Sequence, residues 1–173
     1  MDVFEAIIHR RSIRDFRPDQ VSAELLNKLL EAAIWAPSAG NLQARELIVV
    51  TTPDLKKKVC NAAFSQRFIE KAPIVLIVCA NEERSAQRYG ERGKQLFCVQ
   101  DATASIQNIL LAAHSLGLGA CWVGAFDEQN VQKTLNLPNN VKPIAIISLG
   151  YPAEFPSAPP RRRLDDWIHY NHY

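Results

Sequence analysis

Three guanidinium groups and a hydroxyl fall within the five residues Arg10-Arg11-Ser12-Ile13-Arg14. Guanidinium presents planar, permanently charged donors that match phosphate oxygens, and alternate residues of an extended segment face one side. Arg10, Ser12 and Arg14 can therefore address one ligand together, although the same run serves equally well as a solvated basic turn paired with Asp15 and Glu5. A second basic cluster, Arg161-Arg162-Arg163, stands near the other end of the chain, with Asp165 and Asp166 close behind it. Two such clusters can converge on a single phosphate. A third charged stretch, residues 82–95, carries Arg84, Arg88 and Arg92 at four-residue steps, matched by Glu82, Glu83 and Glu91. That pattern reads as a solvated helix face or a mobile lid in preference to a phosphate clamp.

Other chemistries find no support. Cys60, Cys79, Cys98 and Cys121 are scattered, with no Cys-x-x-Cys pair, which argues against a redox dithiol, a zinc knuckle or an iron–sulfur site. His169 and His172 lack an acidic or thiol partner at ligand spacing. Gly117-Leu118-Gly119 leaves a helix to enter a strand, the reverse of a dinucleotide turn, in which the pyrophosphate sits on the following helix's N-terminus. Gly90 and Gly93-Lys94 lack Walker-A spacing and have no hydroxyl residue after the lysine. With no nucleophile elbow or zincin helix either, the difficult chemistry of an enzyme built on this chain belongs to a bound cofactor. The net charge of +2 gives no reason to expect a nucleic-acid partner.

The elements that must position these residues follow from periodicity. Asp2 caps a short helix bearing Val3, Phe4, Ile7 and Ile8 on one face; Ser22 caps a second, whose Leu25, Leu26, Leu29, Leu30 and Ala33 form a stripe. Residues 47–51 read as a strand, Thr52-Pro53 starts a helix with Leu55, Val59 and Ala62, and the continuous apolar run at 74–80 is a strand buried on both faces. Residues 99–116 form a helix of roughly 27 Å at 1.5 Å per residue. Ala102, Ile106, Ile109, Leu110, Ala113 and Leu116 line one side of it and Ala104, Leu111 and Ala112 another, so a second surface, supplied by a partner subunit, is needed to cover it. A strand at 120–124, a helix capped by Asp127 and a last strand at 143–152 complete the order, which suits a helix-flanked mixed sheet. Residues 1–173 make one domain, with 152–173 as an extended tail. No segment approaches the roughly 18 uninterrupted apolar residues of a membrane span, and the start lacks the features of a signal peptide, so a cytoplasmic location is expected.

Four landmarks, RRSIRDF at 10–16, APSAGNLQ at 36–43, GLGACWVGAFD at 117–127, and GYPAEFP with PRRRLDD at 150–166, occur in order along nearly the whole chain. In them the sequence resembles the nitroreductase family of flavin mononucleotide (FMN) enzymes. The resemblance implies an α+β fold, a central mixed or mainly antiparallel sheet flanked by helices on both faces, in an intertwined homodimer. It implies FMN as cofactor, NADH or NADPH as hydride donor, and a nitroaromatic, quinone or similar small oxidant as acceptor. Carried over by position, Arg10, Arg11 and Ser12 meet the flavin phosphate and ribityl chain, and Arg14 the pyrimidine edge. The loop residues Pro37, Ser38, Asn41 and Gln43 reach the flavin from the other subunit, Gly124 and Ala125 pass its N5 edge, and Arg161 and Arg163 complete the phosphate site. No side chain is required as acid or base. One departure is Ala44-Arg45, where many relatives have Pro-Trp, and residues 53–98 leave little room for the helical excursions of larger members. A flavin-sequestering protein without turnover, or a relative that uses FMN for dehalogenation or flavin cleavage, is the alternative.

Overall fold

The computed structural model describes all 173 residues. Helices α1 (Val3–His9) and α2 (Ala23–Ile34) precede the first strand, β1 (Arg45–Val50). Then come α3 (Pro53–Ala62), α4 (Phe68–Lys71), β2 (Ile74–Asn81), α5 (Glu82–Arg92), α6 (Cys98–Ser115), β3 (Gly119–Val123), α7 (Glu128–Leu135) and β4 (Val141–Gly150). Local chemistry sets several starts: Asp2, Ser22, Asn81 and Asp127 each accept a hydrogen bond from a backbone N–H of the first helical turn. Asp2 and Glu5 close a reciprocal capping box. Thr52 makes no such bond, and α3 begins instead on Pro53, whose fixed φ is already helical.

The strands form one sheet in the order β1-β2-β4-β3, and all of its ladders are antiparallel. The expectation of a mainly antiparallel sheet with helices on both faces holds, with β2 and β4 at the centre. Alternation along β2 divides the core in two. Ile74, Leu76, Val78 and Ala80 face α2 and α6, whereas Val75, Ile77 and Cys79 face α3, α4 and α7. This is why residues 74–80 are apolar without interruption. One irregularity falls between Val78 and Cys79, where the register on β4 skips from Ala145 to Pro143, a residue with no N–H to give the ladder.

The helical run Glu82–Ser115 is long and apolar enough to cross a membrane by composition. Its α6 portion packs Ala102, Ile106, Ile109, Leu110 and Ala113 into the core, which accounts for that composition. α1 behaves differently: Val3, Phe4, Ile7 and Ile8 are all more than half exposed, and Ala6 alone is buried. Beyond Pro152 the chain carries one short 3-10 turn at Leu164–Asp166, with Phe155, Trp167 and Tyr170 on its surface.

Residues 12–17 run along the outer edge of β3. Ser12 bridges Ala120 in parallel, and the Ile13 N–H donates to the Ala120 carbonyl at 3.0 Å. Gly119 admits this approach, because a Cβ there would sit 2.9 Å from three Ile13 carbons. Gly119→Ala is therefore expected to cost about 1–3 kcal/mol by overpacking. Read by urea denaturation, the double variant with Ile13→Ala should lose less than the sum of the single losses.

All four cysteines are buried, and burial raises each thiol's pKa, that of Cys79 to about 12. A raised pKa leaves less thiolate at a given pH. At pH 8 a disulfide reagent should thus leave all four thiols of the folded protein unmodified over a period in which the urea-unfolded chain reacts fully.

Candidate functional site

α1 ends at His9, and Arg10 turns the chain into extended backbone. The following segment is stitched on two sides. The Arg17 N–H donates to the Tyr151 carbonyl, the Ala153 N–H donates to the Asp15 carbonyl, and the Glu154 carboxylate accepts from the Arg14 and Asp15 N–H groups at 2.5 and 3.2 Å. These bonds hold the N-terminal arginines beside the start of the tail. Arg10, Arg11, Ser12, Arg14 and Arg161 line one cleft of about 300 Å³, closed by Pro156, Ser157 and Pro159. Burial lowers the pKa of Arg10, and the neighbouring charges of Arg11 and Arg161 lower it further. None of these arginines has a carboxylate within 4.0 Å. Arg11 folds back to donate to the Ile8 and Arg10 carbonyls, Arg161 donates to those of Pro159 and Pro160, and Arg14 lies 6.0 Å from the Phe68 ring centroid. The cleft thus gathers four guanidinium groups, Arg10 and Arg11 half-buried and Arg14 and Arg161 exposed, a concentration of positive charge with which an anion is electrostatically compatible.

The same wall borders an apolar cavity of about 390 Å³ that includes Ile13, Leu110, His114 and Phe155. His114 is held towards its neutral form, by burial first and then by His9, Arg10 and Arg11. Beneath the arginines lies Cys121, its thiol pushed up by burial against the opposing pull of Arg14, Ser12 and Arg10.

Arg163 lies outside the cleft, exposed and 3.8 Å from Asp165. Arg162 donates to the Asp166 carbonyl. Gly124 follows the end of β3, and a Cβ on it would meet no atom within 4 Å, so its backbone borders open space. The adjacent Ala125 carbonyl accepts from Gln66 Nε2 at 3.0 Å.

The loop at 36–43 owes its shape to contacts that its own sequence does not announce. Asp101, on α6, accepts from the Ala39 N–H at 2.9 Å and the Ala44 N–H at 3.2 Å. Ser38 Oγ accepts from the Gln43 N–H, while Gly40, Asn41 and Gln43 adopt positive φ. Arg45 turns back to donate to the carbonyls of Ile34, Ala36 and Pro37, so the residue that departs from the family pattern caps the end of α2. α5 covers the loop: Arg84 Nε donates to the Leu42 carbonyl at 2.6 Å, and a Cβ on Gly40 would sit 2.8 Å from Arg88 Nη1 and 2.5 Å from Tyr89 Oη.

The arginine cleft and the loop occupy opposite corners of the sheet. Arg45 pairs with Ala80 at one end of edge strand β1, whereas Gly119 pairs with Gly150 at the other end of the far edge strand, β3. Three strand spacings of about 4.8 Å and some seven residue rises of about 3.3 Å put them roughly 27 Å apart. Within one chain the cleft and the loop are therefore separate features.

The sequence model of the Nitroreductase family matches residues 7–66 and 60–151. The chain belongs to the nitroreductase family. A Methanothermobacter thermautotrophicus protein named for NADH dehydrogenase and NAD(P)H nitroreductase is 38% identical over 176 residues, covering 96% of this chain and 88% of its own. The FMN reductase (NADPH) of Bacillus subtilis is 30% identical over 185 residues, 99% of this chain and 74% of that protein. Among solved structures, the NADPH:FMN oxidoreductase from Vibrio harveyi complexed with NAD+ superposes with a TM-score of 0.91 at 28% identity, over 99% of this chain and 77% of that one.

Asp101, Glu154 and Arg45 hold the loop and the arginine segment in shape, and of the three the sequence singles out only Arg45, as a departure from the family pattern. The signal available in the sequence for Asp101 is that it stands alone in a helix with no other Asp, Glu, Lys or Arg. Asp101→Asn presents an amide group to N–H donors that need acceptors, with an expected cost of about 1–3 kcal/mol. A lower urea midpoint, with faster hydrogen exchange at Ala39 and Ala44, would show it.

Proposed function

We propose that this protein is an FMN-dependent oxidoreductase that uses NADH or NADPH as hydride donor. The observation that carries the reading is the cleft in which Arg10, Ser12, Arg14 and Arg161 converge without a carboxylate partner, on the same sheet edge as the open backbone at Gly124. Its residues fit a phosphorylated, planar cofactor. Arg10, Arg161 and Ser12 would hold the phosphate and ribityl chain, with Arg11 partly turned to α1. Arg14 supplies a fixed cation towards the pyrimidine edge, where negative charge accumulates on reduction. The backbone N–H at Gly124 or Ala125 serves as donor on the N5 side, and the lack of a side chain at Gly124 leaves that approach clear. The chemistry that the flavin supplies when bound is hydride transfer at N5, from the nicotinamide and then to a nitroaromatic, quinone or similar small oxidant, in ping-pong order.

The two separated corners favour a homodimer in which Pro37, Ser38, Asn41 and Gln43 of one copy face the arginine cleft of the other. The exposed apolar residues of α1, with Trp35, Trp167 and Tyr170, offer the surface that such a partner would cover. In this reading residues 1–173 act as one domain in the cytoplasm. The tail from 152 positions Arg161, with Arg163 next along it as a further cation.

Purified protein is expected to be yellow, or to become so with FMN, and to bleach with NADH or NADPH and recover with an added oxidant. Protein that cannot take up flavin would overturn the reading. Arg10→Ala combined with Arg161→Ala should weaken FMN retention by about a hundredfold, two charge-assisted contacts at roughly tenfold each, measured by fluorescence titration.

A further inference from the structure

The arginines of α5 are not balanced by the acids beside them. Glu83 accepts from Asn140 and Glu91 from Gln95, and no carboxylate lies within 4.0 Å of Arg84, Arg88 or Arg92. The face is solvated, as the spacing suggests, but its charges do not pair with one another. Arg84 is tied to the loop through the Leu42 carbonyl. Arg88 lies against Gly40 of the same loop and over the Tyr89 ring, at 5.5 Å from its centroid. Past the kink at Gly90, Arg92 lies 5.3 Å from the Phe97 centroid, and Tyr89 and Phe97 pack edge to face at 5.1 Å. Two guanidinium groups thus flank one aromatic pair, each held by a ring face and each with its donors undischarged.

We propose that Arg88 and Arg92 bind a phosphate group of the nicotinamide donor. This rests on the reading above, in which the loop at 36–43 reaches the flavin, because it is that loop which Arg88 touches. The cleft around Arg10, proposed above for the flavin phosphate, lies at the other corner of the chain, so the α5 pair is separate from it and stands beside the loop that the proposed dimer would bring to the flavin. Stacking on Tyr89 and Phe97 fixes the guanidinium planes in advance and lowers the ordering cost on binding. Arg84, committed to Leu42, positions the loop and does not meet the donor directly. The phosphate concerned is either the pyrophosphate, common to both donors, or the 2′-phosphate that only NADPH carries.

Calorimetric titration of the FMN-loaded protein with ADP-ribose and with 2′-phospho-ADP-ribose tests this without turnover, alongside Michaelis constants for NADH and NADPH. Arg88→Gln and Arg92→Gln are each expected to weaken binding about tenfold, the worth of one charge-assisted contact, while Arg88→Lys retains part of it. Weakening towards both probes assigns the pair to the pyrophosphate; weakening confined to the 2′-phosphorylated probe, with a raised KM for NADPH alone, assigns it to the 2′-phosphate. FMN content and KM for the oxidant should stay unchanged. Unaltered affinity for both probes in both glutamine variants, with flavin retained, overturns this proposal and leaves the flavin assignment intact. Failure of the wild-type chain to hold flavin would strike the earlier reading instead.

Discussion

The site depends on backbone hydrogen bonds that hold like charges together. Arg10, Arg11, Arg14 and Arg161 share a cleft, and mutual repulsion would spread them if they hung from flexible segments. They do not. Residues 12–17 are bonded to Ala120 on one side and to Tyr151, Ala153 and Glu154 on the other, and Gly119 lets Ile13 close against β3. Each such bond contributes about 0.5–1.5 kcal/mol net, so the set can offset the repulsion before any anion arrives. An anion that enters meets donors already in place and gains what the folded chain has stored.

The loop at 36–43 is organised by the same economy of backbone donors, here collected by a side chain. Asp101 is buried, and it accepts from two amides that no strand or helix would satisfy. With Arg45 on the carbonyls at the end of α2 and Arg84 on Leu42, both the donors and the acceptors of the loop are met from outside it. That outside support sustains positive φ at Asn41 and Gln43. α5 buttresses the loop through Arg84, and Arg88 lies beside the loop without bonding to it.

A four-stranded antiparallel sheet separates these two regions by its full diagonal. The chain also exposes apolar side chains on α1 and the tail, Phe4, Ile8, Trp167 and Tyr170 among them. The arginine cleft lies at the β3 edge, and the contacts between the loop and α5 lie at the β1 edge.

The sequence by itself determined the local elements, because their causes are local. Caps at Asp2, Ser22 and Asp127, the stripe on α2, and the uninterrupted apolar run of β2 each depend on residues a few positions apart. The ordered landmarks also identified the family and marked the arginines at 10–14 and 161. The tertiary structure alone decided who meets whom. Val3, Phe4, Ile7 and Ile8 form an amphipathic face in either case, yet only packing shows that their own core does not take them. Arg84, Arg88 and Arg92 looked matched by nearby acids, but those acids turn to Asn140 and Gln95. Asp101 stands more than 50 residues from Ala44, which it supports. Spacing encodes the period of a helix or strand; it does not encode the partner of a charge, which is settled by how the strands are ordered and which corner of the sheet each loop reaches.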